Sequence, residues 1–193
     1  DGIFGSVRFI YNLGLETKQM AYIGSKNSLS YYDLAKQLTQ LKQDCLWLYD
    51  TPSQCLQASL MNLDKAYQNF FKGNGFPKFK NKHSKQSFQL VHPIKVISNK
   101  IKLPKIGLIC IDLHKPIIDQ IRTTTISKSS TNKYYASILV ETGINAPLKK
   151  PIKKESTIGI DLGLTHFAIT SDGRKFENQG FLKSELRNLR IEQ

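Results

Sequence analysis

From Lys65 to Ile111 the chain contains no aspartate or glutamate, while ten lysines fall in the same stretch. Such a segment cannot neutralise itself. Its ammonium groups must stay at the surface, and together they form a face that only an anion can balance. Within it runs GFPKFKNKHSKQSF, where Phe76, Phe79 and Phe88 interleave with Lys78, Lys80, Lys82 and Lys85. Pro77 restricts the backbone, so the segment offers aromatic faces for stacking on bases or sugars and cations for phosphates. With Lys72 and Lys105 in the same acid-free stretch, these residues are the candidate nucleic-acid contacts. Lysine contacts of this kind position a backbone and carry little sequence information. The alternative is a basic loop whose phenylalanines anchor it to a core.

The whole chain repeats the bias: 28 Lys+Arg against 15 Asp+Glu give a net charge of +13. Polyphosphates are the commonest partner for such a surface, because each neutralised phosphate releases condensed counterions. A ribosomal-type or membrane-surface protein would show the same balance. At 193 residues there is room to bury a core. Cys45, Cys55 and Cys110 form no CxxC pair and read as buried thiols of a reducing, cytoplasmic setting. No run reaches the roughly 18 apolar residues of a membrane span, and no signal peptide opens the chain. Asp1 stands where an initiator Met would, and Lys183–Gln193 is a charged helical pattern without a C-cap, so both ends read as cut.

Three kinds of pattern follow one another. Residues 1–72 are helical: Phe4, Val7, Tyr11 and Leu15 recur at helical spacing, Ser30 caps a segment striped by Leu34, Leu38 and Leu41, and Thr51-Pro52 opens a third helix. That third helix carries Leu56, Leu60, Leu63, Tyr67 and Phe70 and ends at Gly73. Between Gln86 and Thr142 lie five short β-rich runs, Ser87–Val91, Val96–Leu103, Ile106–Asp112, Ile121–Ser127 and Tyr134–Val140, with turns at Ser98-Asn99 and Thr131-Asn132. Five runs at that spacing suggest a small barrel or strongly curved sheet. Residues 143–155 read as an exposed linker, and a new β unit opens at Ser156. The fold class is α+β.

That last unit, IGIDLGLTHFAITSDGRKFE, places Asp161 after the apolar Ile158 and Ile160, then an alternating strand, a Ser171–Arg174 turn and a third strand. In a ribonuclease-H-type fold an Asp near the end of the first buried strand is a ligand of a two-metal site. Gly163 would let backbone approach such a site. A strand-end turn aspartate fits the spacing equally well. So does the first phosphate hairpin of actin-like ATPases, although no second phosphate hairpin follows. His83, His92, His114 and His166 have no partners at metal-ligand spacing, and no GxxxxGK[ST] loop occurs.

Eight segments in order, SYYDL (Ser30–Leu34), PSQ (Pro52–Gln54), LDKAYQNFF (Leu63–Phe71), GFPKFK (Gly75–Lys80), QSF (Gln86–Phe88), LPKIG (Leu103–Gly107), YYASILVE (Tyr134–Glu141) and GIDLGLTHFAITSDG (Gly159–Gly173), resemble the TnpB/OrfB proteins of insertion sequences over almost the whole chain. These were long described as transposases and are related to the type V CRISPR effectors. The resemblance implies an RNA-guided, Mg2+-dependent DNA endonuclease whose partners are guide RNA and target DNA, with no membrane and no small-molecule substrate. It implies a layout too: a helical recognition lobe (1–72), a small wedge-type β-barrel (73–142), a linker (143–155) and the opening β-hairpins of a RuvC-like nuclease domain (156–193), with Asp161 as catalytic residue and first metal ligand. The family's remaining Glu, second Asp and CxxC zinc element have no counterpart in these residues, and Glu185 and Glu192 do not stand in for them. The chain alone is therefore expected not to cut. A nuclease-deficient binding relative, such as a repressor or remnant, is the other reading.

Overall fold

The computed structural model describes residues 2–83, 85–91, 94–145, 147, 148 and 151–192. Its backbone divides into two compact units, Asp1–Gly143 and Ile144–Gln193. His92 lies outside the described residues.

The first unit opens with α1 (Gly2–Ser25), α2 (Tyr31–Asp44), a short 3-10 helix (Leu46–Asp50) and α3 (Ser53–Phe71). The stripe on α1 is buried at Phe4, Val7, Ile10, Tyr11 and Leu15. It packs on a matching stripe of α3, Cys55, Leu56, Leu60 and Leu63. Gly14 makes the approach close: a Cβ there would stand 3.0 Å from a methyl carbon of each of Leu60 and Leu63. Two polar locks sit in the seam, Ser59 Oγ donating to the Val7 carbonyl at 2.6 Å and Thr51 Oγ1 donating to Ser6 Oγ at 2.8 Å. Lys18 adds a third. Its ammonium donates to the Leu29 carbonyl at 2.6 Å, lies 3.5 Å from Asp64 and sits 4.8 Å above the Tyr67 ring.

Ser30 caps α2 as expected, through a reciprocal capping box in which Asp33 N donates to Ser30 Oγ and Ser30 N donates to Asp33. Those bonds from Ser30 hold the Asp33 carboxyl below its ordinary pKa. Thr51 does not cap α3. Pro52 occupies the N-cap without a side-chain bond, because the Thr51 hydroxyl is buried and bonded to Ser6, 45 residues away. The other end follows the sequence: Gly73, at φ +93°, donates its N–H to the Phe70 carbonyl.

Six strands complete this unit: β1 (Gln86–Leu90), β2 (Lys95–Ile97), β3 (Lys100–Leu103), β4 (Gly107–Cys110), β5 (Gln120–Lys128) and β6 (Tyr134–Glu141). They form two antiparallel sheets, ordered β1-β5-β6 and β2-β3-β4. Among the described residues no barrel closes, which corrects the sequence expectation. The short β2-β3-β4 meander pairs only within itself, and β5 passes it over to pair with β1, Phe88 opposite Ile126. The Val96–Leu103 run is a hairpin that turns at Ser98, whose φ is +51°. One apolar cluster runs from the helices into both sheets, with Phe4 and Phe88 rings 5.1 Å apart at the junction. Each large side chain removed from water there stabilises the unit by about 1.5–3 kcal/mol.

The second unit holds a 3-10 turn (Lys154–Ser156), β7 (Ile160–Leu162), β8 (His166–Thr170), β9 (Lys175–Glu177) and α4 (Phe181–Glu192). The strands form one antiparallel sheet in chain order. Its tight turn is the expected Ser171–Arg174: Gly173 takes φ +89°, and Asp172 accepts hydrogen bonds from Thr170 Oγ1 and from Arg174 Nε. The Arg174 guanidinium and the Thr170 hydroxyl hold the Asp172 carboxyl well below the usual carboxylate range.

Candidate nucleic-acid interface

After Gly73 the chain leaves helical structure, and the aromatic and basic residues of the acid-free segment part company. Phe76 stands edge-on to Tyr67 and Phe70, with ring centroids 5.6 and 5.1 Å away, and remains 43% exposed. It is both an anchor and a surface ring. Phe79 is more open, at 53%. Phe88 is core. Lys80 is clasped to α1: its N–H donates to Asn12 Oδ1 and its carbonyl accepts from Asn12 Nδ2, both at 2.8 Å. Its ammonium lies 4.0 Å over the Tyr11 ring, where burial lowers its pKa. Lys80 thus holds the segment in place through Asn12 and Tyr11 while staying exposed, as Lys72 and Lys78 are.

Lys82 and Lys85 lead into a cleft of about 910 Å³ that also takes in Phe4, Gly5 and Arg8 of α1 and the β5–β6 hairpin from Ser127 to Asn132, with Tyr135. Among the described residues four cations line it, Arg8, Lys82, Lys85 and Lys128, and no carboxylate does. Arg8 Nη1 donates to Gln86 Oε1 at 3.1 Å, and Gln86 Nε2 donates to the Lys82 carbonyl at 2.9 Å, so the helix and the basic segment are tied where β1 begins. On the opposite wall the hairpin turn is fixed by Ser129, which accepts from Asn132 N–H and from Lys133 N–H, with Asn132 at φ +61°. This places hydroxyls of Ser127, Ser129 and Ser130 beside the cations. Cations with neutral donors and an exposed tyrosine suit a phosphate–sugar backbone.

Arg8, Lys128 and the hairpin hydroxyls were not singled out by sequence. The run KSSTNK, residues 128–133, did carry a signal, a polar turn between two lysines. Arg8 carried none: it is one of two cations on a core helix, the other being Lys18, and only the fold brings it to Gln86. Lys105 lies elsewhere. It occupies the β3–β4 turn at φ +64° and donates its ammonium to the Tyr49 carbonyl.

In the second unit Asp161 is the middle residue of β7, paired with Ile169. Strand alternation puts it on one face with Ile169 and Lys175, and puts Ile160, Leu162, Ala168 and Phe176 on the other. Asp161 is exposed. His166 Nδ1 approaches Glu177 Oε1 at 3.3 Å. A Cβ on Gly163 would lie 3.2 Å from the His166 carbonyl, so a side chain there would make that carbonyl shift by a few tenths of an ångström. Among the described residues no group of three or more His, Cys, Asp or Glu side chains could hold a metal ion. Asp161 alone does not fit a two-ion site. Also among the described residues, no helix is long and apolar enough to cross a membrane.

No family model matches the chain. Individual proteins do. It is 30% identical over 194 aligned residues to the Escherichia coli (strain K12) protein named "Putative RNA-guided DNA endonuclease InsQ", covering 97% of this chain and 47% of that protein. It is 29% identical over 184 residues to a Streptomyces pristinaespiralis protein named "Putative RNA-guided DNA endonuclease", covering 91% of this chain and 44% of that one. A third match, 34% over 94 residues, is to "Virulence protein VsdF" of Salmonella dublin, 79% of which is covered. The chain spans about half the length of the first two relatives. The first of those alignments takes in nearly the whole chain, as the eight ordered segments of the sequence do: the chain belongs to the TnpB/OrfB family.

Proposed function

We propose that this chain is the nucleic-acid-gripping part of a transposon-associated, RNA-guided DNA endonuclease. Residues 1–72 serve as its recognition lobe, 73–142 as its wedge region, 143–155 as a linker and 156–193 as the opening hairpins of its RuvC-like domain. Guide RNA and target DNA are the partners, and the cytoplasm is the setting. The observation that carries this reading is the cleft lined by Arg8, Lys82, Lys85 and Lys128, with no carboxylate among its described residues. The names of two relatives aligned over nine-tenths of the chain support it. In such a system base pairing reads sequence and the protein reads backbone geometry, which is what lysines and hydroxyls around a cleft are suited to do.

Asp161 would contribute one ligand to a Mg2+ site whose other carboxylates do not come from the described residues. The magnesium ions of such a site stabilise the attacking and leaving oxygens of a phosphodiester. Cys45, Cys55 and Cys110 are free thiols and do not gather into a zinc site. By themselves, then, these 193 residues bind without cutting. The test is a titration of labelled RNA hairpin and DNA duplex with the chain at rising salt, alongside ATP. Binding that falls steeply with salt is expected. Tight, salt-insensitive ATP binding with no affinity for either nucleic acid would overturn the proposal in favour of an actin-like ATPase. Asp161→Ala should leave nucleic-acid affinity within about twofold, since it removes no cation; loss of binding would place Asp161 in the grip instead.

A further inference from the structure

We propose a second phosphate-binding site in the first unit, formed by Lys42 of α2 and Lys105 of the β3–β4 turn, which meet at Tyr49 and seat one backbone phosphate of the bound nucleic acid. The proposal rests on the nucleic-acid reading above but uses none of the residues that line the cleft.

Two cations from separate elements converge on one residue. The Lys42 ammonium lies 5.1 Å from the centre of the Tyr49 ring and donates to Ser53 Oγ at 2.7 Å. The Lys105 ammonium reaches the same residue from the β3–β4 turn and donates to the Tyr49 carbonyl. No carboxylate of a described residue pairs with either. Asp44 and Asp50, the acids nearest Lys42 in sequence, and Asp112, the nearest to Lys105, form no ion pair with them, and Asp50 lines an apolar cavity with Trp47 and Ile106. Like charges held together without a counter-charge repel, and an anion between them removes that repulsion. The Lys42 ammonium already responds to it: burial lowers its pKa first, and the charge of Lys105 lowers it further.

The surroundings select the kind of anion. Ser53 supplies a neutral hydroxyl, and the Tyr49 ring under the Lys42 ammonium is 47% exposed. Flat aromatic surface next to a cation pair suits a phosphate that arrives attached to sugar and base. Ser53 is the first residue of α3, so the helix's free N–H groups add a favourable local field.

The test compares Lys42→Gln, Lys105→Gln and the double variant with the unaltered chain, reading the slope of log affinity against log salt for a labelled DNA duplex and an RNA hairpin. Because both lysines serve one phosphate, the double variant should lower the slope by about one unit, and neither single variant by more than that. Lys42→Arg should keep the slope, which separates loss of charge from loss of fold. A double variant with unaltered slope overturns the site. If Lys82→Gln/Lys85→Gln lowers the slope while the Lys42 and Lys105 changes do not, this inference fails and the function stands; if the unaltered chain binds neither nucleic acid, the function itself fails. Inorganic phosphate, titrated at constant ionic strength and read by Trp47 fluorescence, distinguishes a free anion. Saturation by phosphate that the double variant loses, with no change in nucleic-acid slope, would assign the pair to free phosphate and overturn the proposal.

Discussion

Neutralising Lys82 and Lys85 together, as Lys82→Gln/Lys85→Gln, removes two of the four cations lining the cleft and leaves Arg8 and Lys128 in place. Each phosphate neutralised contributes roughly 0.9 to the salt slope for a duplex and roughly 0.7 for a single strand. At about 0.1 M salt, one such contact therefore raises affinity some ~5–8-fold over its value at 1 M, and two raise it ~25–60-fold, about 2 kcal/mol. Both side chains are exposed, so the substitution should leave the melting temperature unchanged. Fluorescence anisotropy of a labelled RNA hairpin across a salt series measures the effect. The expected result is a slope shallower by 1.4–1.8, with curves that converge at high salt. Parallel plots of equal slope would refute the reasoning, since the two lysines would then face no phosphate.

Lys18→Met keeps the aliphatic stem but strips the Leu29 carbonyl of this donor and Asp64 of its cation, leaving the carboxylate the Gln68 amide; with side-chain exposures of 9% and 30%, the loss should be about 2 kcal/mol, read as a lower midpoint in urea unfolding. A shift under about 0.5 kcal/mol would mean the lock is cosmetic. Burial pushes the Cys55 thiol up to about 12, so at pH 8 it should resist a thiol reagent that modifies the exposed Cys110 quickly. The linkage has a definite sign: above about pH 8.5 an unfolded chain ionises this thiol while the folded one does not, so stability should fall as pH rises from there towards 12. Equal modification rates for Cys55 and Cys110 in the folded chain would contradict that burial.

Local signals reached as far as local structure does. The stripes of α1, α2 and α3, the Ser30 cap, the Gly73 stop and the Ser171–Arg174 turn depend on residues a few positions apart, and each is found where the sequence puts it. Thr51 shows where such reasoning stops. Thr-Pro before an apolar run is a good helix-start pattern, but the hydroxyl bonds Ser6, and nothing near Thr51 in sequence foretells that partner. Closure of the β region failed for the same reason: the runs were legible as strands, whereas the pairing of β1 with β5 across an intervening meander is a non-local choice. The site follows suit. Lys82 and Lys85 stand out in an acid-free run, but Arg8 joins Gln86 over 78 positions and Lys128 comes from a hairpin much later in the chain. Lys80 looked equivalent to its neighbours and is instead held against Tyr11, a distinction that only packing makes.

Hydrogen exchange of the chain with and without a bound RNA hairpin tests most directly whether the cleft is the grip. Slowed exchange is expected at residues 85–88 and across the β5–β6 hairpin, residues 127–135, the two walls that carry Lys85 and Lys128. Protection confined to other segments, with both walls exchanging as in the free chain, would contradict it.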